Sequence, residues 1–196
     1  LENARLFDES QRLLEVTQQR VTELTAINRI SKALVSELNL DALLNLVGEQ
    51  TQQTFNADIA YVALLDNQTK VINFPYNFGE ILPSIPFGEG LTSKIIETGT
   101  PLLLNEEIEK QTTAIGATIV GQAAQSYLGV PITVGGKTTG VLSVQSVSQE
   151  GRFVEADMRL LSTIAANVGA ALQNAQLYQE TQRRANEMSD LTEVGR

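Results

Sequence analysis

The side chains that could do chemistry in this sequence are limited by two absences. Its 196 residues contain no cysteine and no histidine. Thiolate nucleophiles, Ser-His-Asp triads, Cys/His zinc sites and histidine haem ligation are therefore excluded for this stretch of chain. Asp, Glu, Ser, Lys and Tyr remain, but no spacing among them assembles a catalytic group. We expect no catalytic residue, no metal site and no enzymatic activity.

One glycine-rich motif could be imagined to hold a phosphate group. Gly88, Glu89 and Gly90 precede a short segment that is typical of a helix, and helix N-termini attract anions. However, Glu89 places a negative charge inside the motif, and the first basic residue after it is Lys94. We interpret the two glycines as turn residues rather than as an anion site.

The elements that must position these residues follow from the apolar periodicity, which predicts an α+β domain. The segment between the second and third predicted strands, from Asn77 to Phe87, contains two of the five prolines and Gly79 and should be a loop. The polar, Ala/Gly-rich residues 105–125 are expected to be partly helical and mobile. The remaining elements are predicted helices at about 39–55, 91–98 and 153 onward, and predicted strands at 58–65, 70–76 and 102–104 with a hairpin at 126–146.

The first dozen residues recur near the end of the chain. Residues 1–12 match residues 172–183 at seven of twelve positions, and residues 22–29 resemble residues 189–196. A match that keeps its order over two blocks indicates a tandem repeat. The alternative is chance similarity between two Gln/Glu-rich helices. The repeat divides the chain into a linker or coiled-coil helix of a preceding repeat at 1–24, one domain at 25–178, and a linker helix towards a following repeat at 179–196.

Both ends of the chain have apolar residues at the spacing of a helical seam. Residues 1–38 lack proline and glycine and predict one long helix, which either forms a coiled coil or lies on its own domain. In the last helix, apolar and small residues alternate three and four apart. We predict a homodimer through these helices, with the seam formed by Leu6, Leu13, Leu14, Val21, Leu161, Ile164, Val168, Ala171, Ala175 and Tyr178.

The charge balance restricts the partners of this segment. Twenty-three acidic and 14 basic residues give a net charge of −9. Such a charge disfavours nucleic acid and an anionic membrane surface as partners. No apolar run approaches the ~20 residues that a membrane-spanning helix needs. We expect a cytoplasmic segment with no nucleic-acid or membrane contact.

Three blocks of motifs, in order, resemble the GAF domain family over roughly residues 25–178. Each block alone is a weak pattern, but the three together at suitable spacing are specific. A PAS domain is the nearest rival fold, which the Val130-Pro131-Ile132 hairpin and the long final helix disfavour. The blocks are Gly88-Glu-Gly-Leu91 with Thr98-Gly-Thr-Pro-Leu102, then Ser126-Tyr-Leu-Gly-Val-Pro-Ile132 with Gly140-Val-Leu-Ser-Val144, then Phe153-Val-Glu-Ala-Asp157 with Leu160-Leu161 and Ile164-Ala165.

The resemblance implies a central antiparallel sheet of five or six strands with helices on both faces, flanked by long N- and C-terminal signalling helices. It also implies a sensory, dimerising module of a multidomain signalling protein. We therefore expect one unit of a tandem-GAF array that relays a signal to a separate output domain. The alternative is a sensor that binds a cyclic nucleotide or a metabolite.

The family's known ligands can be tested against this sequence by residue. Bilin attachment needs cysteine, histidine haem ligation needs histidine, and the GAF-like methionine sulfoxide reductases work through cysteine, so none of these is expected here. The cyclic-nucleotide signature retains Phe153 and Asp157, but Ser146, Val147 and Met158 stand where Asn, Lys and Glu occur. We interpret Phe153 as a core anchor and Asp157 as an acid in a helix's first turn.

The resemblance also places a small-molecule pocket between the sheet and the region 74–126. No cofactor is expected, although an unknown small ligand is possible. Each candidate also has an ordinary explanation, since strand aromatics are usually core residues and polar loop residues are usually solvated. The candidate pocket residues are Tyr61, Phe74, Phe78, Thr113, Ile119, Gln122 and Ser126.

Overall fold

A computed structural model describes residues 40–193 of the chain. Its helices and strands follow the predicted order, and the two hairpins and the long last helix are confirmed. The predicted linker 1–24 and the seam residues Leu6, Leu13, Leu14 and Val21 lie outside the described residues. The helices are α1 (Leu40–Phe55), α2 (Gly90–Thr98), α3 (Ile108–Ala114) and α4 (Glu155–Glu193), and the strands are β1 (Ile59–Asp66), β2 (Val71–Phe78), β3 (Ile85–Pro86), β4 (Leu102–Leu104), β5 (Ser126–Val134) and β6 (Lys137–Ser146).

The six strands form one antiparallel sheet in the order β3-β2-β1-β6-β5-β4. The hairpins β1-β2 and β5-β6 are joined where β1 pairs with β6, so the centre of the sheet brings together residues distant in sequence. The short strand β3 corrects the expectation of an unpaired loop at 77–87. Val71 and Ile72 pair with Pro86 and Ile85 at the sheet edge, where proline is tolerated because no further strand needs its N–H.

Turn and cap residues account for several boundaries. Gly99 ends α2 in the left-handed conformation, with φ of 66°, and its N–H donates to the Ile95 carbonyl at 2.8 Å. Gly135 and Gly136 have φ of 57° and 79°, as a two-residue type I′ hairpin loop requires. Asp66 accepts hydrogen bonds from the Gln68 and Thr69 backbone N–H groups and closes the β1-β2 turn.

The two faces of the sheet are covered by different elements. Helices α1 and α4 pack on one face, α4 mainly against β5, and they also contact each other. Helix α2 packs on the other face, against β5 and β6. Because strand side chains alternate, Leu128, Val130 and Ile132 point towards α1 and α4, whereas Tyr127 belongs to the buried cluster beneath α2 and α3.

Close backbone approach fixes α4 against the sheet. A Cβ atom added to Gly169 would lie 2.2 Å from the Thr133 carbonyl oxygen at the end of β5. A similar approach occurs in α1, where a Cβ on Gly48 would overlap the Tyr76 ring at 2.1 Å. Glycine at these two helical positions therefore lets both helices approach the sheet more closely than any other residue allows.

Candidate functional site

A cavity of about 40 Å³ lies on the α2 face of the sheet. Residues 117–125, which follow α3 and are called the lid below, cover part of its outer side. The cavity volume is well below the ~150 Å³ of an apolar cavity that admits benzene, so the cavity as it stands holds no more than a few water molecules. Its lining residues are Tyr61, Phe74, Leu82, Ile85, Gly90, Leu91, Thr92, Ile108, Ile119, Val120, Gln122, Ala124, Tyr127 and Gln145.

Three buried hydroxyl groups meet at the cavity. The Tyr61 hydroxyl lies 2.8 Å from Thr92 Oγ1 on α2 and 3.1 Å from the Tyr127 hydroxyl on β5. The Tyr61 ring also meets Phe74 edge-on, with ring centroids 5.3 Å apart and planes at 84°. Tyr61 thus joins the sheet to α2 through its hydrogen bond to Thr92 and contacts β2 through the Phe74 ring.

The sheet register explains how Tyr127 reaches Tyr61 across an intervening strand. Tyr61 pairs with Ser143 on β6, and Ser143 pairs with Gly129 on β5. The small side chain of Ser143 and the bare Cα of Gly129 leave a trough on this face. The Tyr127 ring lies over this trough, since a Cβ on Gly129 would be 2.6 Å from the Tyr127 hydroxyl and 2.5 Å from Ile95.

Burial keeps both tyrosine hydroxyls neutral. Desolvation raises the pKa of Tyr61 above its ordinary value of 10.0, against the opposing hydrogen bonds of Thr92, Tyr127 and Ser143. Desolvation and the neighbouring Tyr61 raise the pKa of Tyr127 well above its ordinary value. At neutral pH the site therefore presents polar but uncharged hydroxyls.

The lid is held over the cavity by hydrogen bonds at three points. The Gln122 N–H donates to both carboxylate oxygens of Glu80, at 2.8 and 3.0 Å. Gly90 N–H donates to Thr118 Oγ1 at 3.3 Å, and Gln125 N–H donates to the Ser146 carbonyl at 2.8 Å. These contacts join the lid to the loop after β2, to α2 and to β6.

A groove open to solvent, with a volume of about 720 Å³, lies outside the cavity between α3 and the lid. Ile108, Ile119 and Ala124 line both the cavity and the groove, so these apolar side chains form the wall between them. Ile119 is 39% exposed. Movement of this wall would connect the cavity with solvent through the groove.

The structure brings together four of the seven predicted pocket residues: Tyr61, Phe74, Ile119 and Gln122 line the cavity. The other three predicted residues do not line the cavity. Thr113 lines the outer groove, and Phe78 is 43% exposed beyond the cavity. Ser126 is buried elsewhere, donating to the Gln149 carbonyl and accepting from Arg152 N–H, because its strand position points it at the loop after β6.

Three polar lining residues were not predicted: Thr92, Tyr127 and Gln145. Tyr127 and Gln145 pair with each other across β5 and β6. Tyr61 pairs with Ser143, so the two side chains share a face of the sheet. Gln145 lies two residues after Ser143 and therefore shares that face as well. This placement needs the β1-β6 register. The sequence contains the alternation but not the register.

A family model of the GAF domain matches residues 37–173. The chain belongs to the GAF family. The six-stranded antiparallel sheet with helices on both faces agrees with the fold that the resemblance implied. The residues of the predicted N-terminal flanking helix lie outside the described part of the chain.

Proteins with regulatory names are among the relatives of this chain. The Nif-specific regulatory protein of Azospirillum lipoferum is 29% identical over 172 residues, which cover 83% of this chain and 28% of that protein. The nitrogen fixation protein AnfA of Azotobacter vinelandii is 27% identical over 157 residues, covering 76% and 29%. The formate hydrogenlyase transcriptional activator of Salmonella typhimurium is 26% identical over 172 residues, covering 82% and 25%. The chain thus spans only about a quarter of the length of these relatives.

Solved structures share the GAF fold at low identity. The GAF domain of an Acinetobacter phosphoenolpyruvate-protein phosphotransferase has a TM-score of 0.68 and 24% identity, over 80% of this chain and 95% of that one. A free methionine-R-sulfoxide reductase from Neisseria meningitidis, solved with its substrate, has a TM-score of 0.68 and 18% identity, over 80% and 91%. One fold therefore serves both regulatory and enzymatic proteins.

The two residues retained from the cyclic-nucleotide signature have structural roles in this GAF domain. Phe153 is 1% exposed, and its backbone is fixed by the Asn105 side chain, whose Nδ2 donates to the Phe153 carbonyl at 2.6 Å. The Asp157 carboxylate accepts the Val154 N–H at 2.8 Å, just before α4. Neither side chain lines the cavity, which agrees with their interpretation as an anchor and a first-turn acid.

The predicted dimer seam on α4 requires a correction. Leu161, Ile164, Val168 and Ala171 are between 0% and 7% exposed within the GAF domain itself, where α4 packs on β5 and α1. A stripe with the same period serves domain packing here, so these four residues have no surface for a partner. The seam residues beyond them are less enclosed: Ala175 is half-buried, and Tyr178 is 47% exposed.

Among the described helices, none combines the length and the apolar character that crossing a membrane requires. No cluster of acidic side chains in residues 40–193 is arranged as a metal site.

Proposed function

We propose that this GAF domain is a non-enzymatic regulatory module of a longer signalling protein, where it relays a signal to an output domain outside this chain. The observation that carries the proposal is the continuity of α4. This helix runs unbroken from Glu155 to Glu193, with its first half buried on the sheet and Leu177 55% exposed further along. One helix therefore connects the domain core with whatever follows it.

A long helix transmits small displacements because its backbone hydrogen bonds keep it stiff. Helix α1 packs on the same face and contacts α4, so a change in the sheet would shift the two helices together. The relay is a small rotation or register change of this helix pair, of the kind that couples domains in other switches. The relatives that carry regulatory names support this role, as does the absence of cysteine and histidine from all 196 residues.

We also propose that the chain forms a homodimer through its flanking helices, with adjacent GAF repeats and an output domain as partners in the same cytoplasmic polypeptide. Since the first half of α4 is occupied by its own sheet, the α4 contact lies beyond Leu172. Among the side chains described there, Leu177 is an exposed aliphatic residue.

Sedimentation equilibrium tests the dimer. The Leu177→Glu variant should weaken the dimer at least about tenfold, because it places a charge in an apolar contact. Ile81→Glu is the matched control, since Ile81 is 91% exposed in the loop after β2, away from α4. If the wild-type chain is monomeric at high micromolar concentration, or if both variants weaken the dimer equally, the dimer proposal fails.

A second candidate function is that of a small-molecule sensor, favoured by the cavity, its neutral hydroxyls and its closed lid. Binding would open or replace the lid contacts and alter the sheet beneath α4. Thermal-shift measurements with cAMP, cGMP and a metabolite panel test this function, since a ligand at one hundred times its Kd stabilises by ~2.7 kcal/mol. If no compound shifts the unfolding temperature at millimolar concentration, the sensor function is rejected and the relay has no ligand in this cavity.

A further inference from the structure

The lining of the cavity contains no charged side chain. Its fourteen lining residues are eight with apolar side chains, one glycine, and five with a hydroxyl or an amide group. None of the described residues that line the cavity is Asp, Glu, Lys or Arg. A buried ion without a counter-charge loses its hydration and gains nothing equivalent, which costs far more than burying a neutral polar group that is hydrogen-bonded. A charged ligand would therefore be unpaired here.

The hydrogen-bonding groups of the cavity suit a neutral partner. The Tyr61 and Tyr127 hydroxyls and the Gln145 amide can each donate or accept, so they match a carbonyl, an amide or a hydroxyl equally well. The N-terminus of α2 also reaches the cavity, but Gly90 N–H already donates to Thr118 Oγ1. The donors that a helix end offers to an anion are thus partly used by the lid.

The surroundings of the cavity are unfavourable to anions. Glu80 holds the lid, and Glu107, Glu109 and Glu150 line the outer groove. The groove's basic residue, Lys110, forms an ion pair with Glu107 at 3.0 Å. An anion that approached through the groove would meet a net negative potential before it reached a site with no positive charge.

We infer that this cavity takes an electrically neutral organic molecule with an apolar body and one hydroxyl, carbonyl or amide group, and that it rejects carboxylates and phosphates. The inference rests on the proposed sensor function and names the class of its ligand. Entry requires the wall formed by Ile108, Ile119 and Ala124 to move towards the groove, because a cavity of about 40 Å³ is much smaller than the ~150 Å³ that admits a benzene ring.

Matched probes of similar shape and different charge test the inference on the whole chain. The probes are phenol and benzamide as neutral molecules, benzoate as an anion and benzylammonium as a cation. Tyrosine-ring ¹³C NMR locates binding, since Tyr61 and Tyr127 line the cavity whereas Tyr76 and Tyr178 do not. Benzamide or phenol should shift the signals of Tyr61 and Tyr127, and benzoate should bind there at least about a hundredfold more weakly than benzamide.

One variant pair at Ile119 and a single variant at Glu80 sharpen the test. Ile119→Lys supplies the missing positive charge at the wall and should shift the preference towards benzoate at least about tenfold, while Ile119→Gln should not. Glu80→Gln removes the carboxylate that holds the lid and should strengthen binding of the neutral probes several-fold.

The failures are distinguishable. Binding of benzoate at Tyr61 and Tyr127 as tight as that of benzamide would overturn the inference and leave the sensor function standing. If no probe shifts those two signals up to its solubility limit, in the wild type or in Glu80→Gln, both the inference and the sensor candidate are rejected. The relay proposal would remain, because it depends on α4 rather than on the cavity.

Discussion

The two faces of the central sheet are built differently, although they are made by the same strands. The face towards α1 and α4 is filled by aliphatic side chains such as Leu142, Leu161 and Val168, each 0% exposed. The opposite face carries a hydroxyl cluster, a small cavity and a lid that is held by hydrogen bonds. Close packing makes the first face rigid, whereas hydrogen-bonded closure over a cavity can be reversed at lower cost.

This difference suits the separate tasks that the two proposed functions give to the two faces. The aliphatic face packs α1 and α4 closely on the sheet, as the proposed relay requires. The proposed sensor requires only that the cavity face change its occupancy. Because each strand contributes to both faces, a shift of Tyr61 on one side is passed through β1 to Val62 on the other.

The largest contrast is expected from truncating one aliphatic residue on each face. Leu161→Ala should lower the free energy of unfolding by about 3 kcal/mol, because a fully buried leucine leaves a cavity. Ile119→Ala in the partly exposed lid wall should cost less than about 1 kcal/mol. Urea unfolding measures both, and equal losses would contradict the distinction between a rigid and an adjustable face.

A second prediction concerns the close approach of α4. Replacing glycine by alanine inside a helix normally stabilises by about 1 kcal/mol. At Gly169 the sign should reverse, with a loss of about 1–3 kcal/mol, because the new Cβ would lie 2.2 Å from the Thr133 carbonyl oxygen.

The neighbouring Ala170 is exposed on the same helix and provides the control. Ala170→Gly should cost about 1 kcal/mol from helix propensity alone. A Gly169→Ala variant more stable than wild type in urea would show that α4 can move away from β5 freely.

The hydroxyl cluster should make a smaller contribution than the aliphatic face. Tyr61→Phe removes a group bonded to both Thr92 and Tyr127, so a loss of about 1–2 kcal/mol is expected. Tyr76→Phe is the control, because within residues 40–193 its hydroxyl makes no hydrogen bond, and its change should be within about 0.5 kcal/mol. If urea unfolding gives similar losses of stability for the two variants, the hydroxyl cluster does not stabilise the domain.

The same cluster predicts a dependence on alkaline pH. The folded-state pKa values of Tyr61 and Tyr127 are raised above the ordinary value of 10.0, mainly by burial. Their stabilising contribution is therefore complete below pH 10 and is lost as the pH rises towards the folded-state values, since only the unfolded chain ionises easily. Urea unfolding between pH 9 and 11 should show a steeper decline for wild type than for the Tyr61→Phe/Tyr127→Phe double variant.

The smallest expected effect is at Asp58, where the central strand β1 begins beside the end of β6. Asp58 accepts hydrogen bonds from Val147 N–H and the Ser146 hydroxyl, which lower its pKa below the ordinary 3.8. That contribution is present above pH 3.8 and is lost as the pH falls through the folded-state value. Because Asp58 is exposed, Asp58→Asn should cost no more than about 1 kcal/mol at pH 7. The difference in unfolding free energy between wild type and Asp58→Asn, measured in urea, should disappear in acid. A difference that stays constant with pH would exclude the Asp58 charge as its cause.

Much of the chain could be predicted from local pattern. The hairpin turn at Gly135-Gly136, the end of α2 at Gly99 and the long final helix are confirmed, since each depends on residues close in sequence. The two-residue strand β3 was missed, because Ile85 and Pro86 form a strand only through pairing with β2.

The candidate site was less predictable because its parts meet only through the sheet. Tyr61 and Tyr127 are 66 positions apart and lie on strands separated by β6. The seam on α4 was misassigned for a related reason. A stripe with a period of three and four residues fits a partner helix and the domain's own sheet equally well.

The sequence by itself determined the absence of cysteine and histidine chemistry, the order of the elements and the family motifs, because composition, turns and periodicity are local. Only the tertiary structure decided which face each apolar stripe covers, which hydroxyls meet, and how the lid closes. Those features depend on strand order and register, through which β1 and β6 bring distant residues within hydrogen-bonding distance.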